Sequence, residues 1–206
     1  MNVLLVNGSP HLQGSTKRCL KEVADALAIH GIDVTYFELG AGPFYGCTAC
    51  HQCDTTQRCC FDDDPANRLI DAMAAADGII IGTPVYYAGA NGALCALLDR
   101  VFYAAASRFT GKPAAAIAVC RRGGLETTID RLNKYFMINE MPVPTSQYWN
   151  GAHGANAHEV ESDAEGLQTM RTLGHNVARL LEQIELAGDR VAPRPDEPRV
   201  RTNFIR

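Results

Sequence analysis

Short apolar runs alternate with longer stretches whose apolar positions recur every three or four residues, and this rhythm continues to about residue 186. Residues 3–6, closed by Asn7-Gly8-Ser9-Pro10, predict a strand covered on both faces. Leu20, Val23, Ala24, Leu27 and Ala28 predict a helix that Gly31 ends. Residues 34–39 alternate as a strand does and stop at Gly40. Residues 66–76 predict a helix with Leu69, Ile70 and Met73 inward, and residues 78–82 a fully buried strand. The second half repeats the pattern. A helical stripe of Leu94, Leu97, Leu98, Val101, Phe102 and Ala105 precedes a strand at 114–119. Leu125, Ile129, Leu132 and Phe136 predict the next helix, and residues 142–148 a proline-containing strand that fits only a sheet edge. A last helix carries Leu167, Met170, Leu173, Val177, Leu180, Leu181 and Ile184.

Five strands alternating with five helices predict an α/β domain over residues 1–188: a parallel sheet wrapped on both faces by right-handed crossovers. Residues 189–206 hold three prolines and five arginines without periodicity and predict an extended tail. In such a sheet the ligand lies beyond the carboxyl ends of the strands, at the point where strand order reverses. The loops at 8–16, 83–91 and 120–128 are therefore the candidates for function.

Composition narrows the classes. Apolar types make up 47% of the 206 residues and charged types 20%, the balance of a chain that buries a core, so disorder is excluded. A net charge of −4 argues against a general nucleic-acid or membrane-surface binder. No apolar run reaches the ~18–20 residues of a membrane span, and the N-terminus lacks a basic leader, so a cytoplasmic location is expected. In that reducing compartment eight cysteines, five of them at 47, 50, 53, 59 and 60, point to metal or redox chemistry more than to structural disulfides. Cys19, Cys95 and Cys120 sit in apolar-periodic contexts and read as small buried hydrophobes.

The first loop runs from Gly8 through Ser9, His11, Gly14 and Ser15 to Thr16 and opens directly into a helix. Free backbone N–H groups and nearby hydroxyls there suit an anion. Neither a G-x-G-x-x-G fingerprint nor a P-loop lysine is present, so a single phosphate monoester fits better than a dinucleotide or triphosphate. An ordinary turn with an N-cap is the plain alternative. The second loop, with Pro84, Val85, Tyr86, Tyr87 and Gly89, offers a flat, partly apolar shelf for an aromatic heterocycle, unless its tyrosines only cover the sheet edge. In the third, Arg121 and Arg122 precede Gly123 and Gly124; solvated arginines are the alternative there. Ser9 and His11 lack a third partner and no G-x-S-x-G elbow exists, which sets a hydrolase aside.

Taken together, Asn7-Gly8-Ser9-Pro10 with Gly14-Ser15-Thr16, the stretch from Ala76 to Tyr87, and Leu97-Leu98-Asp99-Arg100 resemble the NADPH-dependent FMN reductases of the flavodoxin-like fold. The cysteine segment, followed by Asp62-Asp63-Asp64, brings the resemblance closest to their iron–sulfur flavoprotein branch, over about residues 1–186. The resemblance implies a three-layer sandwich around a five-stranded parallel sheet of order 2-1-3-4-5, and one FMN. It implies phosphate binding at Ser9, His11, Ser15 and Thr16, and the isoalloxazine at Pro84, Val85, Tyr86, Tyr87 and Gly89. Arg122, Gly123 and Gly124 would form the third side. Cys95 stands where the family often has lysine. Hydride would pass from NAD(P)H to the flavin, then electrons to a quinone, flavin, nitro compound or protein acceptor. Tyr148 and Trp149 would wall the acceptor pocket, or Trp149 would join the core. An electron-transfer flavoprotein fed by a partner such as ferredoxin, and a non-catalytic FMN module, are the competing readings. Relatives of this type are usually dimers or tetramers, and the tail would reach across a neighbouring subunit.

Within residues 41–64, Cys47-x2-Cys50-x2-Cys53-x5-Cys59 puts four thiols on one short loop, a spacing closer to iron–sulfur than to zinc ligation. A [4Fe–4S] cluster on Cys47, Cys50, Cys53 and Cys59 is one expectation. Free thiols, zinc on three cysteines with His51, and a Cys53–Cys59 disulfide are the others. Cys60 is a spare that could replace Cys59.

Overall fold

The computed structural model describes residues 1–192, 195, 197, 198, 200–202 and 204. In chain order its strands are β1 (Asn2–Asn7), β2 (Asp33–Glu38), β3 (Gly78–Tyr86), β4 (Gly89–Ala90), β5 (Ala114–Cys120) and β6 (Gly151–His153). The helices are α1 (Ser15–Ile29), α2 (Cys53–Thr56), α3 (Ala66–Ala75), α4 (Gly92–Ala105), α5 (Leu125–Ile138), α6 (Ala157–Val160) and α7 (Ala164–Ala187). Val3, Leu4, Leu5 and Val6 are at most 1% exposed because β1 lies inside the sheet, between β2 and β3, with helices packed on both faces. The path runs β2-β1-β3-β5-β6, all parallel, and β4 folds back antiparallel on the end of β3. Strand alternation then splits the core in two. Val3, Leu5, Ile80, Ala115 and Ile117 face α1 and α7; Leu4, Val6, Ile79, Ile81, Ala116 and Ala118 face α3, α4 and α5. This is the parallel sheet wrapped on both faces that the pattern predicts, with the flavodoxin-like strand order that the resemblance implies.

Several boundaries differ from expectation. The sheet has six strands, because residues 83–86 continue β3 and turn back as β4. Residues 142–148 form no strand. The Pro142 carbonyl accepts from the Ala114 N–H at 2.9 Å, but prolines at 142 and 144 supply no donors to extend a ladder, and the fifth parallel strand is β6 instead. Ala28 faces solvent and Ala26 takes its place in the core. Trp149 is exposed and packs edge-on against Tyr148, with ring centroids 4.6 Å apart. Asp189 and Arg190 continue α7 as a 3-10 turn. Of the expected tail, Pro193 and Ile205 lie outside the described residues. No described helix is long and apolar enough to cross a membrane.

Candidate functional site

A cleft of about 900 Å³ opens at the carboxyl ends of β1, β3, β5 and β6. Its floor is the β1–α1 loop, which β3 and the start of α4 hold at Gly8. The Gly8 N–H donates to the Gly82 carbonyl at 2.8 Å, and the Gly8 carbonyl accepts from Asn91 Nδ2 at 2.8 Å. Buried Asn7 accepts from the Ser9 N–H at 3.2 Å and donates to Glu38 Oε2 at 2.6 Å. Ser9 Oγ in turn accepts from the His11 N–H at 3.1 Å. Gly8 is required by close approach: a Cβ there would meet Leu94 Cδ2 at 2.5 Å and the Gly82 carbonyl oxygen at 2.9 Å.

The loop delivers the N-terminus of α1 to the cleft wall. No side chain caps that end and no acidic residue lies in its first turn. A 15-residue helix therefore presents its first N–H groups and positive dipole end to the cleft, beside the buried residues Ser9 and Thr16. Lys17, in the first turn, pairs with Glu38 at 2.5 Å and sits over the Tyr36 ring.

Of the expected residues, Ser9, His11, Ser15, Thr16, Pro84, Val85 and Tyr86 line this one cleft together. Tyr87, Gly89, Arg122, Gly123 and Gly124 are not among its lining residues. Tyr87 is fully exposed at the β3–β4 turn, where it and Ala88 have φ of 51° and 59°, the left-handed pair of a type I′ hairpin. Gly124 supports that hairpin from behind. Its φ is +89°, and a Cβ would meet Ala88 Cα at 2.5 Å. The third wall is instead Val119, Cys120 and Arg121, and a fourth is formed by Gly154, Ala155, Asn156 and Ala157. The sequence pattern does not reveal the fourth wall, because it points to 142–148 rather than 151–153 as the last strand. Its available signal is the Asn156-x-x-Glu159 capping box, in which Asn156 Oδ1 accepts from the Glu159 N–H at 3.0 Å. Asn91, which ties the first loop to α4, was missed as well; its cue is an N-cap at a glycine-led helix start.

The cysteine segment forms a second feature. Ala49 and His51 have φ of 52° and 60°, so a left-handed residue follows or precedes Cys50 in each interval and turns the chain. Cys47, Cys50, Cys53, Cys59 and Cys60 thereby line one small cavity of about 20 Å³, with Arg100 at its back. Cys50 and Cys60 sulfurs are 3.4 Å apart. Hydrogen bonds from the Gln52 N–H and then from Cys60 hold the Cys50 thiol below its ordinary range; Cys60, bonded to Cys50, is pushed up to about 11. Among the described residues no three His, Cys, Asp or Glu side chains stand in a metal-holding arrangement. Of the three remaining cysteines, Cys19 and Cys120 are buried as expected, whereas Cys95 is only half-buried. Burial pushes the Cys19 thiol up to about 12 and raises Cys95 and Cys120.

Comparison with known proteins bears on both features. The model of the NADPH-dependent FMN reductase family matches residues 1–156. The chain is similar to an iron-sulfur flavoprotein of Methanocaldococcus jannaschii, 32% identical over 195 residues, covering 90% of this chain and all of that one. It is likewise 32% identical to an NADPH azoreductase of a Bacillus species, over 81% of this chain and 86% of the other. Among solved structures, a flavone reductase superposes with a TM-score of 0.71 at 20% identity, covering 91% of this chain and 65% of that one. The family match and the sequence relatives establish that this chain, an oxidoreductase, belongs to the NADPH-dependent FMN reductase family.

Proposed function

We propose that the protein is an FMN-dependent NAD(P)H oxidoreductase that passes electrons to a small-molecule or protein acceptor. The observation that carries this reading is the uncapped N-terminus of α1, with buried Ser9 and Thr16, on the floor of a cleft whose volume suits a ligand of that size. Backbone N–H groups of the α1 start, with Ser9, His11, Ser15 and Thr16, would hold the phosphate. Pro84, Val85 and Tyr86 would carry the isoalloxazine, and Tyr87 at the hairpin tip would cover its outer face. Arg121, rather than Arg122, would supply positive charge near the ring. FMN, when bound, supplies the hydride chemistry; the chain orients it and limits water on one face. Mixing anaerobic, FMN-loaded protein with NADPH or NADH in a stopped-flow cell tests the reading. Bleaching near 450 nm by either donor is expected, and a flavin that neither donor reduces would favour an electron carrier.

The cysteine loop favours a second component, an iron–sulfur cluster on Cys47, Cys50, Cys53 and Cys59. Four thiols are the ligand chemistry of such a cluster, and Cys47, Cys50, Cys53 and Cys59 line one cavity together. A bound cluster would supply one-electron steps beside the two-electron flavin. Iron analysis of anaerobically purified protein should give about four irons per chain; iron-free protein that turns over at full rate would remove the cluster.

A further inference from the structure

Arg100, on the inner face of α4, is 2% exposed and heads the fully buried side chains by size. A guanidinium has five N–H donors, and the cysteine segment takes all five. Nη1 pairs with Asp64 Oδ2 and donates to the Tyr45 carbonyl at 3.3 Å. Nη2 donates to Asp64 Oδ1 at 2.9 Å and to the Phe61 carbonyl at 3.4 Å. The fifth donor, Nε–H, points at Cys59 Sγ, 3.1 Å away. The guanidinium also lies 5.2 Å from the centre of the Phe61 ring, which stacks on Tyr45.

Anchoring the segment accounts for four of these bonds. A bidentate carboxylate and two carbonyls are full partners for a buried cation. The bond to sulfur asks for another explanation, because a neutral thiol is a weak acceptor whereas a metal-bound thiolate keeps negative charge on sulfur. Cys59 is fixed from its backbone side too: buried Asn67 accepts from its N–H at 2.9 Å and donates to its carbonyl at 3.0 Å. The adjacent Cys60 has neither restraint; it is exposed, with its sulfur on Cys50.

We propose that Arg100 is a positioning residue for the cluster: its Nε–H bond to Cys59 Sγ orients that thiolate as the last ligand and raises the potential at which the cluster takes an electron. Hydrogen bonds to ligand sulfur stabilise the reduced, more negative cluster, which gives the direction of the effect. This inference rests on the cluster reading above.

The test compares anaerobically purified holoprotein, wild type and Arg100→Lys, by iron content, circular dichroism and EPR-monitored redox titration. Lysine keeps the charge beside Asp64 but cannot reach Asp64 and Cys59 with one planar fork. A loaded, folded R100K protein with a more negative cluster midpoint and an unchanged flavin midpoint is the expected result. An unchanged cluster midpoint overturns the inference. Should R100K fail to fold or to hold iron, wild-type protein grown on 15N-guanidino arginine decides: the reduced cluster should show a 15N hyperfine coupling in pulsed EPR. An iron-loaded wild type without that coupling overturns the role of Arg100 alone. A wild type without iron overturns it together with the cluster.

Discussion

Gly8, Thr16 and Asp64 each make a distinct demand on the account. At Gly8 the space for a side chain is taken by Leu94 and by the backbone of β3, so Gly8→Ala should cost about 1–3 kcal/mol in thermal unfolding and weaken FMN binding as the loop shifts. Thr16→Val keeps the methyl that packs toward Gly82 and removes only the hydroxyl. If that hydroxyl serves a charged phosphate, calorimetry should show a loss of roughly 10- to 100-fold in FMN affinity, with riboflavin affinity unchanged. For Asp64, burial opposes ionisation, but hydrogen bonds from Arg100 and the Ala66 N–H outweigh it and hold the carboxyl below its usual range. Stability from a depressed carboxyl is complete above its unfolded pKa of about 3.9 and is lost as pH falls through the folded value. The opening free energy read by hydrogen exchange across residues 45–64 should therefore be flat between pH 5 and pH 8 and fall only below about pH 4. Serine, threonine and glycine near a helix start were legible in the sequence because their chemistry is local. Arg100 and Asn91 were not, since what they hold lies dozens of residues away.

Between elements, the β3–β4 hairpin and the start of α5 form one unit. Gly124 combines a left-handed φ with contact to Ala88 Cα, so Gly124→Ala meets both backbone strain and overlap. Urea unfolding should report a loss of at least about 2 kcal/mol; a loss under about 0.5 kcal/mol would mean that the hairpin is not braced there. The same unit explains one misreading. The glycines at 123–124 suggest close backbone approach, and the structure shows such an approach, to Ala88 rather than to the cleft. β6 escaped notice for another reason. Gly151, Ala152 and His153 carry no strand preference, and their extended form comes from pairing with Ala118, Val119 and Cys120 of β5. Residues 142–148 contain the β-branched types and still form no strand, because tertiary pairing outranks propensity over so short a stretch.

At the scale of the molecule, the alternation of buried runs with amphipathic helices was enough to read the layer order, because each βα unit can cover the sheet in only one hand. That reading also located the cleft, since all four of its sides lie at the carboxyl ends of parallel strands, three of them at the loops after β1, β3 and β5 that the pattern singles out. The cysteine spacing points to redox or metal chemistry but does not reveal what anchors the segment, which is α4 and α3 through Arg100 and Asn67. Function then depends on whether the cleft takes a flavin by its phosphate. The direct measurement is calorimetric titration of flavin-free protein with FMN and, separately, with riboflavin, which differs only in lacking that phosphate. FMN should bind one per chain and at least roughly 100-fold more tightly than riboflavin, as several charge-assisted hydrogen bonds to the phosphate require. Equal affinity for the two, or no binding of FMN, would contradict the assignment.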